Sequence, residues 1–184
     1  MATRERLTTA DELLQMPDDG RRYELIQGKL NSLSPGGYEH GAVIGELTGH
    51  LWQFVRFHEL GKICGAETGF LLETTPDTLL APDIAFVRAA RAPTDRGTGY
   101  YRGAPDLAVE VMPPNDSPAQ VEAKAQHWLT AGAQGVWVVD PARRCVAVWH
   151  REAAAAIFTE AMLLEDSVLL PGFAVRVAEL FRAP

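Results

Sequence analysis

The chain of 184 residues is 47% apolar and 22% charged, a composition typical of a globular domain that excludes disordered and collagen-like chains. Its net charge of −7 at pH 7 gives no general attraction to nucleic acid or anionic lipid, so a polyanionic partner requires a local basic patch or a bound cation. The two cysteines, Cys64 and Cys145, form no CxxC pair, and no apolar stretch approaches the roughly 18 residues that cross a bilayer. We therefore expect one cytoplasmic domain over residues 1–184, outside the membrane and with both thiols free.

The beginning of the chain predicts a short helix followed by a β-hairpin. Residues Thr9–Glu12 form a capping box, and Pro17 ends the helix that starts there. Two short segments at 23–26 and 29–34, joined by Gln27-Gly28, are typical of a hairpin.

A long helix and a set of strands follow the hairpin. Apolar residues recur at helical spacing from about Glu39 to Leu60, and we expect Gly61 to stop this helix. Short segments rich in Val, Ile, Phe and Trp predict strands near 62–66, 68–74, 84–88, 107–112, 135–139, 145–150 and 156–164.

A helix between two of these strands predicts a crossover connection. Ser117–Gln120 supplies an N-cap serine, a first-turn proline and a glutamine at the third position, and Gly132 closes the helix. Because the helix joins the strands at 107–112 and 136–139 in a crossover unit, we expect at least one parallel or mixed strand pair. The predicted fold is mixed α/β (α+β), a mixed central sheet flanked by helices.

Three carboxylates interrupt segments that otherwise read as apolar strands. Glu110 lies inside Leu107–Met112, Asp83 opens the strand after Pro82, and Glu24 lies in the first hairpin strand. Each acid alone is explained most simply by a salt bridge or an edge strand. Three of them in a small domain favour a site for a hard divalent cation, because Mg²⁺ is held by one or two carboxylates from different elements.

Spacing selects among the acids. Asp106 and Glu110 are four residues apart in one strand, about 13 Å at ~3.3 Å per residue, so they cannot easily share an ion. Asp83 and Glu110 lie on separate strands, and neighbouring strands run only about 4.8 Å apart. We therefore expect Asp83 and Glu110 to share a metal, and Asp106 to be structural.

Lys124 lies on the face of the crossover helix that must pack on the sheet. It is four residues before Trp128, so both side chains emerge on the same side. One interpretation is a snorkelling lysine with its amine in water. The other is that the amine reaches a water or phosphate beside the Glu110 site.

With these acids and this lysine the sequence resembles the PD-(D/E)XK nuclease superfamily, and it looks most like the Uma-two family of restriction-endonuclease-like proteins. Matching motifs extend nearly end to end: Tyr23–Gly28, Ser34-Pro35 with His40, Pro82–Val87, Ala104–Val111, Lys124, Gly132, Trp137–Pro141 and Leu170–Phe173. The resemblance implies a restriction-endonuclease-like core with Glu24, Asp83 and Glu110 as its acids. Its lysine falls on Lys124, because Met112 occupies the classical lysine position.

The implied activity is Mg²⁺- or Mn²⁺-dependent hydrolysis of phosphodiester bonds, with DNA as the expected partner. Asp83 and Glu110 would hold the metal, Glu24 would bind through water or assist a second ion, and Lys124 would orient the attacking water. A homodimer is expected, since two sites cut both strands most simply. The alternatives are a nucleic-acid- or protein-binding module that has lost cleavage, and a phosphoesterase of small substrates.

The segment 88–102 carries four arginines and one aspartate. Its candidate nucleic-acid ligands are Arg88, Arg91, Arg96, Tyr100, Tyr101 and Arg102, which can contact phosphates and stack on bases. A solvated loop explains the composition equally well. Because the segment lies between the Asp83 and Glu110 strands, we expect it near the site. His40 could also approach the site, although capping or packing is an equal explanation.

Overall fold

The computed structural model describes residues 6–94, 97, 99–113 and 117–182, without the side chains of residues 118 and 121. Its helices are α1 (Ala10–Leu14), α2 (Tyr38–Phe57) and α3 (Pro118–Ala131). Its strands are β1 (Arg22–Ile26), β2 (Lys29–Leu33), β3 (Gly61–Gly65), β4 (Phe70–Glu73), β5 (Thr78–Leu80), β6 (Ile84–Arg88), β7 (Tyr101–Arg102), β8 (Leu107–Val111), β9 (Gly135–Asp140), β10 (Cys145–His150), β11 (Ala156–Thr159), β12 (Leu163–Asp166) and β13 (Leu170–Arg176). None of the described helices is long and apolar enough to cross a membrane.

A six-stranded mixed sheet forms the centre of the fold. Its order is β11-β10-β9-β8-β6-β3, and β8 and β9 are its parallel pair. A five-stranded sheet, β2-β1-β5-β4-β7, contains the N-terminal hairpin, and β12 pairs with β13. The parallel pair is joined by α3, so the predicted crossover and the mixed α+β fold are confirmed.

The two faces of the central sheet bury different partners. Leu47 and Leu51 of α2 pack in one core with Trp137. On the other face, Trp128 of α3 packs with Phe70 of the five-stranded sheet, their ring centroids 6.3 Å apart. Each such side chain contributes about 1.5–3 kcal/mol through burial. The central sheet therefore holds the ends of β6 and β8 rigidly between two cores.

The predicted caps and hairpin turn are present. Ser117 and Gln120 form both bonds of the capping box, and Gly132 ends α3 with φ of 116°. Gln27 and Gly28 both have positive φ, 50° and 76°, as a two-residue type I′ turn requires.

The expected end of the long helix is wrong. The α2 helix stops at Phe57, and Glu59 adopts the left-handed conformation, with φ of 54°, that closes the turn. Gly61 instead begins β3, where a Cβ would overlap the Val87 carbonyl oxygen. The glycine is therefore required for close pairing with β6 and not for a helix stop. The predicted strand at 156–164 is divided between β11 and β12.

Candidate active site

The register of the central sheet places Asp83 and Glu110 side by side. Strands β6 and β8 are antiparallel with Ile84 opposite Val109, so one residue further along Asp83 stands opposite Glu110. Opposed residues project from the same face with Cβ atoms about 4.5–5.5 Å apart. The Val111 backbone N–H donates to Asp83 Oδ2 at 2.8 Å, which fixes the carboxylate at this junction.

The carboxylate of Glu110 is held by two residues of α3. Trp128 donates its indole N–H to Glu110 Oε1 at 2.8 Å, and the Lys124 amine lies 3.7 Å from Oε2. The Glu110 side chain is only 16% exposed. Burial raises its pKa to about 7, the Asp83 charge adds to the rise, and Lys124 and Trp128 oppose it. A further cation close to Glu110 would lower the free-energy cost of keeping this carboxylate ionised.

Lys124 lies at the boundary between solvent and the acid pair. Its side chain is 53% exposed, as that of a snorkelling lysine is. Its amine lies 3.7 Å from Glu110 Oε2, since the spacing of four residues aligns it with Trp128 on one side of α3. A cationic donor thus stands at the margin of the acid pair, and its contact with a water or phosphate stays a prediction.

Glu24 approaches the same region from the second sheet. Its Oε1 accepts from the Ala81 backbone N–H at 3.0 Å, which ties β1 to the segment that leads into Asp83. Burial raises the pKa of Glu24, the Asp83 charge adds to that rise, and Lys124 and the Ala81 bond lower it. The three acids and the lysine are therefore close enough to sense one another electrostatically.

His40 also lies at the site. Its Nε2 is 3.4 Å from Asp83 Oδ2, in the first turn of α2. A Cβ at Gly36 would stand 2.6 Å from the His40 ring nitrogen Nδ1, so this glycine makes room for the imidazole. The sequence left an approach to the site, capping and packing open for His40, and the geometry places its ring against Asp83.

Asp106 occupies the opposite end of β8 and is structural. It is 2% exposed, accepts from the Arg88 backbone N–H at 2.9 Å, and forms an ion pair with Arg91 at 3.1 Å. These partners satisfy a buried charge in the way its burial requires.

The expectation that the arginine segment emerges beside the acids is wrong for its first part. Asp83 precedes β6 and Arg88 ends it, so the two lie about 17 Å apart at ~3.4 Å per residue. Arg91 donates to the Ala104 carbonyl at 2.8 Å in addition to pairing with Asp106. Both guanidinium groups are held at the far end of the strands because the connection between antiparallel neighbours lies there.

The remaining candidate nucleic-acid ligands of this segment lie in different environments. Tyr101 packs its ring 5.2 Å from Phe70 and donates its hydroxyl to the Arg91 carbonyl at 3.2 Å. Tyr100 packs in the small core of the five-stranded sheet, and burial raises its pKa. Arg102 is exposed, while Arg96 lies outside the described residues.

The donor set fits a hard divalent cation. Asp83 and Glu110 offer carboxylate oxygens from adjacent strands, and Mg²⁺ is commonly bound by one or two carboxylates with water and substrate completing its shell. Among the described residues, no three His, Cys, Asp or Glu side chains are grouped closely enough to hold a metal ion. Glu24 is therefore not part of a compact ligand cluster with the other two acids.

The fold and these acids define a restriction-endonuclease-like protein: a mixed sheet with a crossover helix, and two carboxylates on adjacent strands. A model of the Uma2 family, described as "putative restriction endonuclease", matches residues 10–178, and the chain belongs to this family.

A crystal structure titled as a putative nuclease belonging to DUF820, from Anabaena variabilis, is similar to this chain. It is 22% identical, with a TM-score of 0.79 over 94% of this chain and 97% of the other. The same fold is therefore present in both proteins. No match was found among curated proteins.

Proposed function

We propose that this protein is a divalent-metal-dependent nuclease that hydrolyses phosphodiester bonds in DNA, using Mg²⁺ or Mn²⁺. The observation that carries the proposal is the placement of Asp83 beside the Glu110 strand, where the Val111 N–H donates to Asp83 Oδ2 at 2.8 Å, together with the Lys124 amine 3.7 Å from Glu110. Family membership and the shared fold support it. Two acids and a lysine at one edge of a sheet are the groups that metal-assisted phosphodiester hydrolysis requires.

Asp83 and Glu110 would hold the metal, which when bound supplies charge neutralisation and a more acidic water. Lys124 would orient the attacking water and offset the negative charge that develops on the phosphate. His40 would keep Asp83 in place from the first turn of α2, and Glu24 would fix the approach to Asp83 through Ala81 and act through water. Trp128 would hold Glu110 in the orientation that faces the other acid.

The test is single-turnover cleavage of a labelled DNA with Mg²⁺, with Mn²⁺ and with chelator. We expect Asp83→Asn and Glu110→Gln each to lower the cleavage rate at least about 100-fold, because each change disturbs the positioning of the metal ligands. The matched control is Glu122→Gln, which changes an exposed acid of α3 and should retain the wild-type rate. Wild-type rates in both site variants would refute the assignment.

The same assay separates the proposal from a binding module that retains the fold. The acidic net charge of −7 slightly favours the binding module, whereas Arg91, an expected phosphate ligand, is engaged by Asp106. Binding of DNA without cleavage in any metal would favour the module. Sedimentation of the protein with and without DNA tests the accompanying expectation of a homodimer that places two sites on one duplex.

A further inference from the structure

A groove of about 510 Å³ lies beside the acid pair. It shares two residues with the neighbourhood of the site: His40, which touches Asp83, and Met112, which follows β8. Its other walls come from the start of α2, from β9 and β10, and from the edge strand β11. The lining residues used below are Tyr38, Val138, Arg143, Ala147, Trp149 and Ile157.

The register of the central sheet makes this groove a direct continuation of the site. Glu110 stands opposite Val138, Val138 opposite Ala147, and Ala147 opposite Ile157. These residues therefore form one row on the same sheet face as the two acids. At about 4.8 Å between strands, the groove floor begins one strand from Glu110 and reaches Ile157 about 14 Å away.

Aromatic and apolar groups in this groove lack the partners that they have elsewhere in the fold. Tyr38 is 87% exposed and Ile157 is 62% exposed, although most large apolar side chains of the described chain are buried. Trp149 also lines the groove. Exposed aromatic and aliphatic surface of this kind is typical of sites that bind a flat, mostly apolar ligand group.

The charges at the rim are mixed. The Arg143 guanidinium is 69% exposed and lies 3.8 Å from Asp140, and Glu39 lies on the α2 side. The groove therefore offers one solvent-exposed cation but no continuous positive surface. This suits a flat, mostly apolar group with a single phosphate better than it suits a row of phosphates.

We propose that this groove binds an unpaired nucleobase of the nucleotide adjacent to the scissile phosphate, so that the substrate is single-stranded or locally opened nucleic acid. The inference rests on the proposed nuclease function for its placement beside the cleaved bond. The base packs between Tyr38 and the Val138–Ile157 floor. A volume of about 510 Å³ lies in the range of small-ligand sites, roughly 300–1,000 Å³.

The test compares binding of a fluorescein-labelled single-stranded oligonucleotide with binding of its duplex, both measured by anisotropy in Ca²⁺. Tyr38→Ala should weaken single-strand binding roughly 5- to 150-fold, the range for loss of one base–aromatic stack, and change duplex binding less than twofold. Phe57→Ala is the matched control, because Phe57 is 82% exposed at the opposite end of the same helix. It should change neither affinity.

An oligonucleotide with one abasic position next to the cleaved bond locates the base. The abasic position should weaken binding by the wild-type protein by the same factor as Tyr38→Ala weakens binding of the intact oligonucleotide. It should not weaken binding by the Tyr38→Ala variant any further. Equal effects of Tyr38→Ala and Phe57→Ala would overturn the proposal. So would a Tyr38→Ala protein that changes its sedimentation but not its oligonucleotide affinity, since the groove would then hold a second copy of the chain.

Cleavage of the same oligonucleotides in Mg²⁺ separates the two proposals. A wild-type protein that cleaves, with a Tyr38→Ala variant that binds and cleaves equally well, would refute base binding and leave the nuclease assignment intact. The opposite result is a protein that cleaves no oligonucleotide in any metal but whose Tyr38→Ala variant selectively loses single-strand binding. That result would support base binding in the groove and refute the nuclease function.

Discussion

Replacing Glu110 by glutamine should stabilise the metal-free protein at neutral and alkaline pH. Burial and the neighbouring Asp83 raise the pKa of Glu110 from its ordinary 4.5 to about 7. The unfolded chain releases this proton near pH 4.5 while the folded protein keeps it up to about pH 7. The free energy of unfolding therefore falls as the pH rises between these values.

The expected size of the effect follows from that displacement. With each pH unit contributing about 1.4 kcal/mol, ionised Glu110 costs the folded protein about 3 kcal/mol above pH 7. Glu110→Gln removes this cost and keeps an acceptor for the Trp128 N–H, and the attraction of Lys124 is already included because it lowers the pKa from which the cost is derived. We expect a net gain of about 3 kcal/mol at pH 8 and little change at pH 4.5.

Urea denaturation of wild type, Glu110→Gln and Glu122→Gln with chelator, at several pH values from 4.5 to 8, measures the effect. The difference between Glu110→Gln and wild type should grow with pH, and the exposed-acid control should give a flat difference. Addition of Mg²⁺ or Mn²⁺ should stabilise wild type more than Glu110→Gln, because a ligand stabilises the state that binds it. A Glu110→Gln protein less stable than wild type at pH 8 in chelator would refute the reasoning and favour a structural salt bridge.

Three further substitutions test Lys124 and Trp128, which contact Glu110, and Asp106, which lies at the other end of β8. Lys124→Met keeps the apolar stem and should lower the single-turnover cleavage rate at least about tenfold, the scale of lost acid–base or charge assistance. The Mn²⁺ affinity measured by calorimetry should change little, and Gln126→Met on the same helix is the control. Trp128→Phe removes the N–H that lowers the pKa of Glu110, so the pH–rate profile should move to higher pH with the rate recovering in alkaline buffer. An unmoved profile would show that Trp128 only packs. Asp106→Asn should lower the free energy of unfolding by about 1–3 kcal/mol, because it weakens the acceptor of the Arg91 ion pair. The folded variant should cleave at the wild-type rate. A loss of cleavage rate without a loss of stability would make Asp106 part of the site.

Local signals predicted most of the fold because they act within a few residues. The Ser117 cap, the Pro118 start and the left-handed Gly132 fixed α3, and α3 in turn required a crossover between two strands. Strands that depend on distant partners gave no such signal. β7 has two residues and exists through its pairing with β4, and β13 contains Pro171 and Gly172, which are poor strand formers.

The acid pair was predictable in kind but not in register. Carboxylates inside apolar strands identified Asp83 and Glu110, and only the antiparallel pairing of β6 with β8, with the hydrogen bond from the Val111 N–H to Asp83, placed Asp83 beside the Glu110 strand. The same pairing explains the wrong placement of Arg88. A connection between antiparallel strands emerges at the end of the first strand, while Asp83 lies at its beginning.

His40 shows the limit of sequence reasoning at this site. Its position near the start of α2 is compatible with capping, packing or function, and the contact with Asp83 depends on how α2 crosses the sheet. Gly36 carried a weak signal, since a glycine four residues before a histidine leaves space for the ring. That signal could be interpreted only once the crossing was known.

The most direct test of the central claim is anomalous diffraction from crystals of the protein soaked in Mn²⁺. We expect one manganese ion about 2.0–2.3 Å from a carboxylate oxygen of Asp83 and from one of Glu110, and no ion there in crystals of Asp83→Asn. Wild-type crystals that retain the Asp83–Val111 hydrogen bond and bind no manganese at these two carboxylates would contradict the account.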